Sequence, residues 1–170
     1  MQSQDCTTPS SKEEGLLHKE EYCKQFQHWF NENYEFSLKE NGKYGLFFIK
    51  HIIKAMEQEI GSTPNGNWDL EDKKLFVQLG LEKDHEINKI KLLQAALAYR
   101  GYWSYEIDGI FSEQLKEQIA QFQKDNQLAW DGNVGFTTIS KIFGKKIVEG
   151  EYEQSRAEAT REEISQEWYE

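Results

Sequence analysis

The side chains able to do chemistry in this chain are thirty carboxylates, four histidines, two cysteines and a rich set of aromatics. His18, His28, His51 and His85 lie in no ligand spacing such as HExxH, and a zinc site needs three or four converging ligands. No metal and no cofactor is therefore expected. Sixteen residues separate Cys6 from Cys23, with no CxxC pair, so a disulfide is geometrically allowed but not implied. Carboxylate pairs for glycoside hydrolysis need one raised and one ordinary pKa in a cleft. Thirty acids supply pairs by number alone. GxSxG is absent, and neither cysteine falls into a recognisable Cys–His arrangement. The expectation is a chain that is not an enzyme.

Binding chemistry is better represented. Aromatic faces beside amides and hydroxyls suit a polar ligand. Tyr102, Trp103 and Tyr105 cluster just before Asp108-Gly109, Trp130 directly precedes Asp131-Gly132, and Tyr44 and Trp68 follow Asn41-Gly42 and Asn65-Gly66. Tyr44, Trp68, Tyr102, Trp103, Asp108, Trp130 and Asp131 are the candidate ligand-binding residues. Trp103 and Trp130 have flanks that read as exposed, with core or inter-module packing equally open to them, whereas Trp29, Phe111 and Phe122 read as core. Asp108 and Asp131 also have a structural role available: Asp or Asn bonds its own local backbone, and the following Gly accepts positive φ.

These residues have to be positioned by helices. Apolar residues between the turns recur at three and four positions, the period of one helix face. Phe26, Trp29, Phe30 and Tyr34 make the stripe of a first helix. Leu46–Ile60 reads as a second, with Ile49, Ile52, Ile53, Met56 and Ile60 inward and Gly61 as its C-cap. A third begins at Asp69, with acids in its first turn and Leu75, Phe76 and Leu79 as its apolar positions. Residues 80–86 are polar. From Ile87 the pattern restarts, with Ile90, Leu93, Ala96 and Leu97 inward.

The restart is a repeat. Gln27 corresponds to Gln94 and Asn41-Gly42 to Asp108-Gly109 at an offset of about 67, and Asn65-Gly66-Asn67 corresponds to Asp131-Gly132-Asn133 at about 66. The expected organisation is a disordered leader (1–15), a first three-helix module (16–80), a linker (81–86), a second module (87–144) and an acidic helical tail (145–170). In the tail eight Glu face Lys145, Lys146, Arg156 and Arg161. Tyr152, Ala159, Ile164 and Trp168 form a thin apolar stripe along it. That stripe reads either as docking on the chain's own repeat or as a partner-binding face made of Tyr152, Ile164 and Trp168.

The net charge of −10 argues against nucleic acid, which requires clustered Lys and Arg, and against an anionic membrane surface. No run of about 18 apolar residues occurs, so no membrane insertion is expected. The N-terminus has no apolar h-region. The chain is therefore expected to be made in the cytoplasm without a signal peptide, acting outside only if released or fused.

The second unit resembles the peptidoglycan-binding domain family, small three-helix modules attached to bacterial and phage cell-wall hydrolases. The likeness is carried by Leu93-Gln94, Gly101-Tyr102, Asp108-Gly109-Ile110-Phe111, Phe122-Gln123, Leu128, Asp131-Gly132, Gly135, Thr138 and Ile142. The first unit is similar in a more divergent way, through Phe26-Gln27-His28-Trp29-Phe30-Asn31, Asn41-Gly42-Lys43-Tyr44-Gly45, Met56-Glu57, Ile60-Gly61 and Asn65-Gly66-Asn67-Trp68. The family's Gly after each turn is replaced by Asp69 and Ser112, both good N-caps. Its Thr survives only at Thr138; Phe48, Asp72 and Leu115 take the other three positions. The resemblance implies an all-α fold of two tandem modules. It also implies a non-catalytic role, binding the glycan or stem peptide of peptidoglycan for a wall hydrolase such as an endolysin. The alternative is an inhibitor, adaptor or assembly factor that reuses the scaffold after losing wall binding, with a protein partner reached through the acidic tail.

Overall fold

The computed structural model describes residues 11–81 and 86–144, with side chains from His18 onward. Six α-helices and no strands occur among the described residues, so the chain is all-α. The helices are α1 (Ser11–Asn33), α2 (Phe48–Ile60), α3 (Leu70–Leu79), α4 (Ile87–Tyr99), α5 (Glu113–Asp125) and α6 (Phe136–Ile142). Residues 1–10 of the expected leader, residues 82–85 of the linker and the whole acidic tail, with Tyr152, Ile164 and Trp168, lie outside the described residues. Helix α1 begins at Ser11, inside the segment read as leader.

The helix boundaries follow local chemistry. Helix α2 stops at Gly61, whose φ of 84° is left-handed. Ser62 N–H reaches back to the Glu57 carbonyl at 2.8 Å, the six-to-one bond that closes such an end. Helix α3 opens on a reciprocal capping box: the Asp69 carboxylate accepts from Asp72 N–H, and the Asp72 carboxylate accepts from Asp69 N–H. Ser112 Oγ accepts from Leu115 N–H at 3.1 Å to open α5. Both residues that replace the expected Gly thus act as caps. Helix α2 starts at Phe48, two residues later than the periodicity indicated. Leu79, one of the apolar positions of α3, is exposed at its last turn.

The buried stripe runs through every helix: Phe26 and Phe30 of α1, Ile52 and Met56 of α2, Phe76 of α3, Leu93 and Leu97 of α4, Leu115 and Ile119 of α5, and Ile139 and Ile142 of α6. Each such side chain contributes roughly 1.5–3 kcal/mol on leaving water. The first and last three helices share this core. Helix α2 lies along α4, and α3 along α6. Tyr99 of α4 packs on Phe48 and Tyr44 at 5.7 and 6.1 Å between ring centroids. Trp68 meets Phe143 edge-on at 4.9 Å. The Glu59 carboxylate accepts from Tyr34 Oη at 2.7 Å and from Asn88 Nδ2 at 3.1 Å, tying α1, α2 and α4 together. Arg100, after α4, donates from Nε to the Ile142 carbonyl at 2.7 Å and from its guanidinium to the Gly144 carbonyl, satisfying the end of α6.

Candidate functional site

Four Asx-Gly turns punctuate the described chain, and one hydrogen-bonding arrangement recurs at each. A buried side chain on the preceding helix accepts from the glycine N–H: Gln27 from Gly42 at 2.8 Å, Glu57 from Gly66 at 2.7 Å, Gln94 from Gly109 at 2.9 Å and Gln123 from Gly132 at 2.9 Å. The Asx Oδ1 accepts from the N–H two residues on, at 2.8–3.0 Å in all four. Where the clamp is Gln, its Nε2 also donates to the Asx Oδ1 and to the carbonyl two residues after the Asx. A buried amide is costly unless bonded, and here both ends are occupied.

Each turn glycine lies directly on a helix two turns before the clamp. A Cβ on Gly109 (φ +75°) would come within 2.6 Å of Ile87 Cγ2 and 3.0 Å of its carbonyl oxygen. One on Gly132 (φ +76°) would come within 2.5 Å of Lys116 Cγ. Only glycine meets both the positive φ and the contact. Asp131 is held below the usual carboxylate range, mainly by the Asn133 N–H and also by the Gln123 amide. Asp108 and Asp131 are thus bonded within their turns. The Gln and Glu clamps were not recognised as such from sequence. Their signal is the recurring separation of fifteen residues from Gln27 to Gly42 and from Gln94 to Gly109, and of nine from Glu57 to Gly66 and from Gln123 to Gly132.

The candidate aromatics are distributed over separate places. Trp130 is 66 % exposed beside Asp131, with Lys124 Nζ 5.7 Å from its ring centroid. Tyr102 stacks edge-on against Phe122 and donates from Oη to Asp125 at 2.7 Å, on the same end of α5. Burial and the Asp125 carboxylate push the Tyr102 hydroxyl up to about 12. Trp103, for which both exposure and core packing were open, is 4 % exposed, its indole N–H donating to the Glu106 carbonyl at 3.2 Å. Its polar neighbours mark the loop, while the ring turns inward to the shared core. Trp103 and Tyr44 line a recess of about 30 Å³ between α1 and the loop after α4. An adjoining cleft of about 130 Å³ is bordered by Tyr22, Trp29, Lys91 and Glu106. Both fall short of a pocket that engulfs a small molecule, which runs to roughly 300 Å³ or more. Trp68 lies at the seam between α3 and α6.

The remaining titratable groups have structural surroundings. His28 is exposed between Glu32 and Glu40, and bonding to Glu40 raises its pKa. His51 is buried, with Nδ1 3.0 Å from the Phe47 carbonyl. Burial pushes the Cys23 thiol up to about 11, away from thiolate chemistry at neutral pH. No three His, Cys, Asp or Glu among the described residues gather in a metal-holding arrangement. No helix among them is long and apolar enough to cross a membrane.

Comparison with known proteins finds similarity in the second half of the chain. Residues 87–142, which hold both Asp-Gly turns and Trp130, match the family model described as "Putative peptidoglycan binding domain". The chain is 29 % identical over 132 residues to Uncharacterized protein FadG of Bacillus subtilis (strain 168), and 28 % over 127 residues to Uncharacterized protein YbfG of the same strain. These alignments cover 72 % and 69 % of this chain but 23 % and 17 % of the relatives, so the chain spans under a quarter of either. No solved structure matches.

Proposed function

From the premise that residues 87–142 match the peptidoglycan-binding family, we propose that this chain is a non-catalytic peptidoglycan-binding unit that targets or accompanies a wall hydrolase. The observation that carries this is local. The Gln94 and Gln123 clamps hold both Asp-Gly turns of the matched segment, and the second turn presents Trp130, an exposed indole beside a cation and amides. An exposed Trp face packs on the apolar face of a sugar or on a peptide, while neighbouring polar groups orient it. We assign Trp130, Asp131 and Tyr102 to the ligand surface, with Tyr44 and Trp103 bordering a second, shallower recess. Asp108 and Trp68 act by holding that surface in place.

The recurrence of the clamp at Gln27 and Glu57 supports reading the first three helices as a divergent copy of the matched module. A titration of the ¹⁵N-labelled chain with soluble peptidoglycan fragments tests the assignment. The Trp130 indole, Asp131, Asn133 and Lys124 are expected to shift together. A spectrum unchanged at saturating fragment concentration refutes it.

One observation favours a second reading, an adaptor or inhibitor built on the same scaffold. The charge of −10 opposes approach to an anionic wall and suits a basic protein. In that case the acidic tail, through Tyr152, Ile164 and Trp168, holds the partner. Loss of a co-purifying protein on removing residues 145–170, without any wall binding, favours this reading over the first.

A further inference from the structure

The clamp of the second turn differs from the other three in one atom. The fourth turn has Gln123, whose Nε2 donates to Thr138 Oγ1 at 2.9 Å, to the Asn133 carbonyl at 2.8 Å and to Asp131 Oδ1 at 3.2 Å. In the second turn, sixty-six residues earlier, Glu57 stands for Gln123 and Asp72 for Thr138. Glu57 is fully buried and Asp72 is 1 % exposed. Glu57 Oε1 accepts from Gly66 N–H as Gln123 Oε1 does from Gly132. Glu57 Oε2 is buried with no donor directed at it. By the correspondence with Gln123 and Thr138, the buried group that faces the Glu57 carboxyl is the Asp72 carboxyl. Asp72 already accepts from the Asp69 N–H and from the Ser62 hydroxyl. Two buried carboxyl groups facing each other bond only if a proton lies between them.

We propose that the first three helices carry a proton-dependent clamp: Glu57 keeps a proton and donates it to Asp72, reproducing the Gln123–Thr138 bond, and loss of that proton to water releases the turn between α2 and α3. The surroundings favour the proton. Burial raises the Glu57 carboxyl to about 8, with Asp72 and Asp69 adding to the rise and the Gly66 N–H opposing it. The lysines one and two turns before Glu57 on α2 have other contacts: the Lys54 ammonium lies over the Phe36 ring at 5.4 Å from its centroid, and the aliphatic chain of Lys50 runs beneath Gly66. What the turn holds is the start of α3, and with it Trp68, which meets Phe76 and Phe143 edge-on. Releasing it therefore loosens the seam between α3 and α6.

The sign follows from linkage. Unfolded, Glu57 titrates near the ordinary glutamate value of 4.5; folded, near 8. Between these the folded state holds a proton that the unfolded state has lost, so stability falls as pH rises through this window and is level above it. One proton corresponds to a fall of up to about tenfold per pH unit in the folding constant. Denaturation of the wild type and Glu57→Gln from pH 5 to 9 tests this. Glu57→Gln is expected to lose most of the decline and to be the more stable form at pH 9. Parallel curves for the two proteins overturn the proposal. The Glu57 carboxyl carbon, followed by NMR in the wild type, is expected to titrate near 8, and a midpoint near 4.5 overturns it even if the variant does not fold. Glu57→Gln with Asp72→Thr, which rebuilds the fourth-turn pair, is expected to be level with pH.

Discussion

Replacing Gln123 by Ala removes a side chain that is 1 % exposed and makes four hydrogen bonds around one turn. Each bond is worth about 0.5–1.5 kcal/mol net, and a buried donor left without a partner costs about 1–3 kcal/mol. The Gly132 N–H is such a donor: it lies in a buried residue and points into the space that Gln123 fills. Water entering that space recovers part of the loss, so the expected cost is about 3 kcal/mol. For a domain of this size that lowers Tm by roughly 6–12 °C. Gln121→Ala is the matched control. Gln121 is exposed two residues away and bonds only Asp125 at 2.8 Å, so its loss should stay within about 0.5 kcal/mol. Urea denaturation followed by circular dichroism measures both. A Gln123→Ala loss no larger than that of Gln121→Ala refutes the claim that the amide clamps hold the turns.

Other consequences are direct. Gly109→Ala forces a left-handed φ on alanine and drives its Cβ onto the Ile87 carbonyl, for a loss of about 2–4 kcal/mol in the same denaturation assay. Asp69→Ala breaks the capping box of α3 and should cost about 1 kcal/mol, read as a lower urea midpoint at an unchanged slope.

The helices were largely legible because their information is local. The stripes of α1, α2 and α4 repeat at helical spacing, and Gly61, Asp69 and Ser112 are end signals that the fold uses as such. The match at 87–142 bears out the resemblance read from Gln94, Asp108-Gly109 and Asp131-Gly132. The clamps were less legible, since a Gln on an amphipathic helix reads as surface until its partner nine or fifteen residues on is placed against it. Trp103 was ambiguous for the same reason: Gly101, Ser104 and Glu106 describe a solvated loop, and only long-range packing turns the ring inward. Trp130, flanked by Ala129 and Asp131, is exposed as its neighbours suggested.

Co-sedimentation with purified insoluble peptidoglycan at ~0.15 M salt, where surface charges are screened beyond about 8 Å, tests the central claim most directly. The intact chain is expected in the pellet, and Trp130→Ala, folded by circular dichroism, to bind about tenfold more weakly, the loss of about 1.4 kcal/mol. An intact chain that stays wholly in the supernatant contradicts the claim.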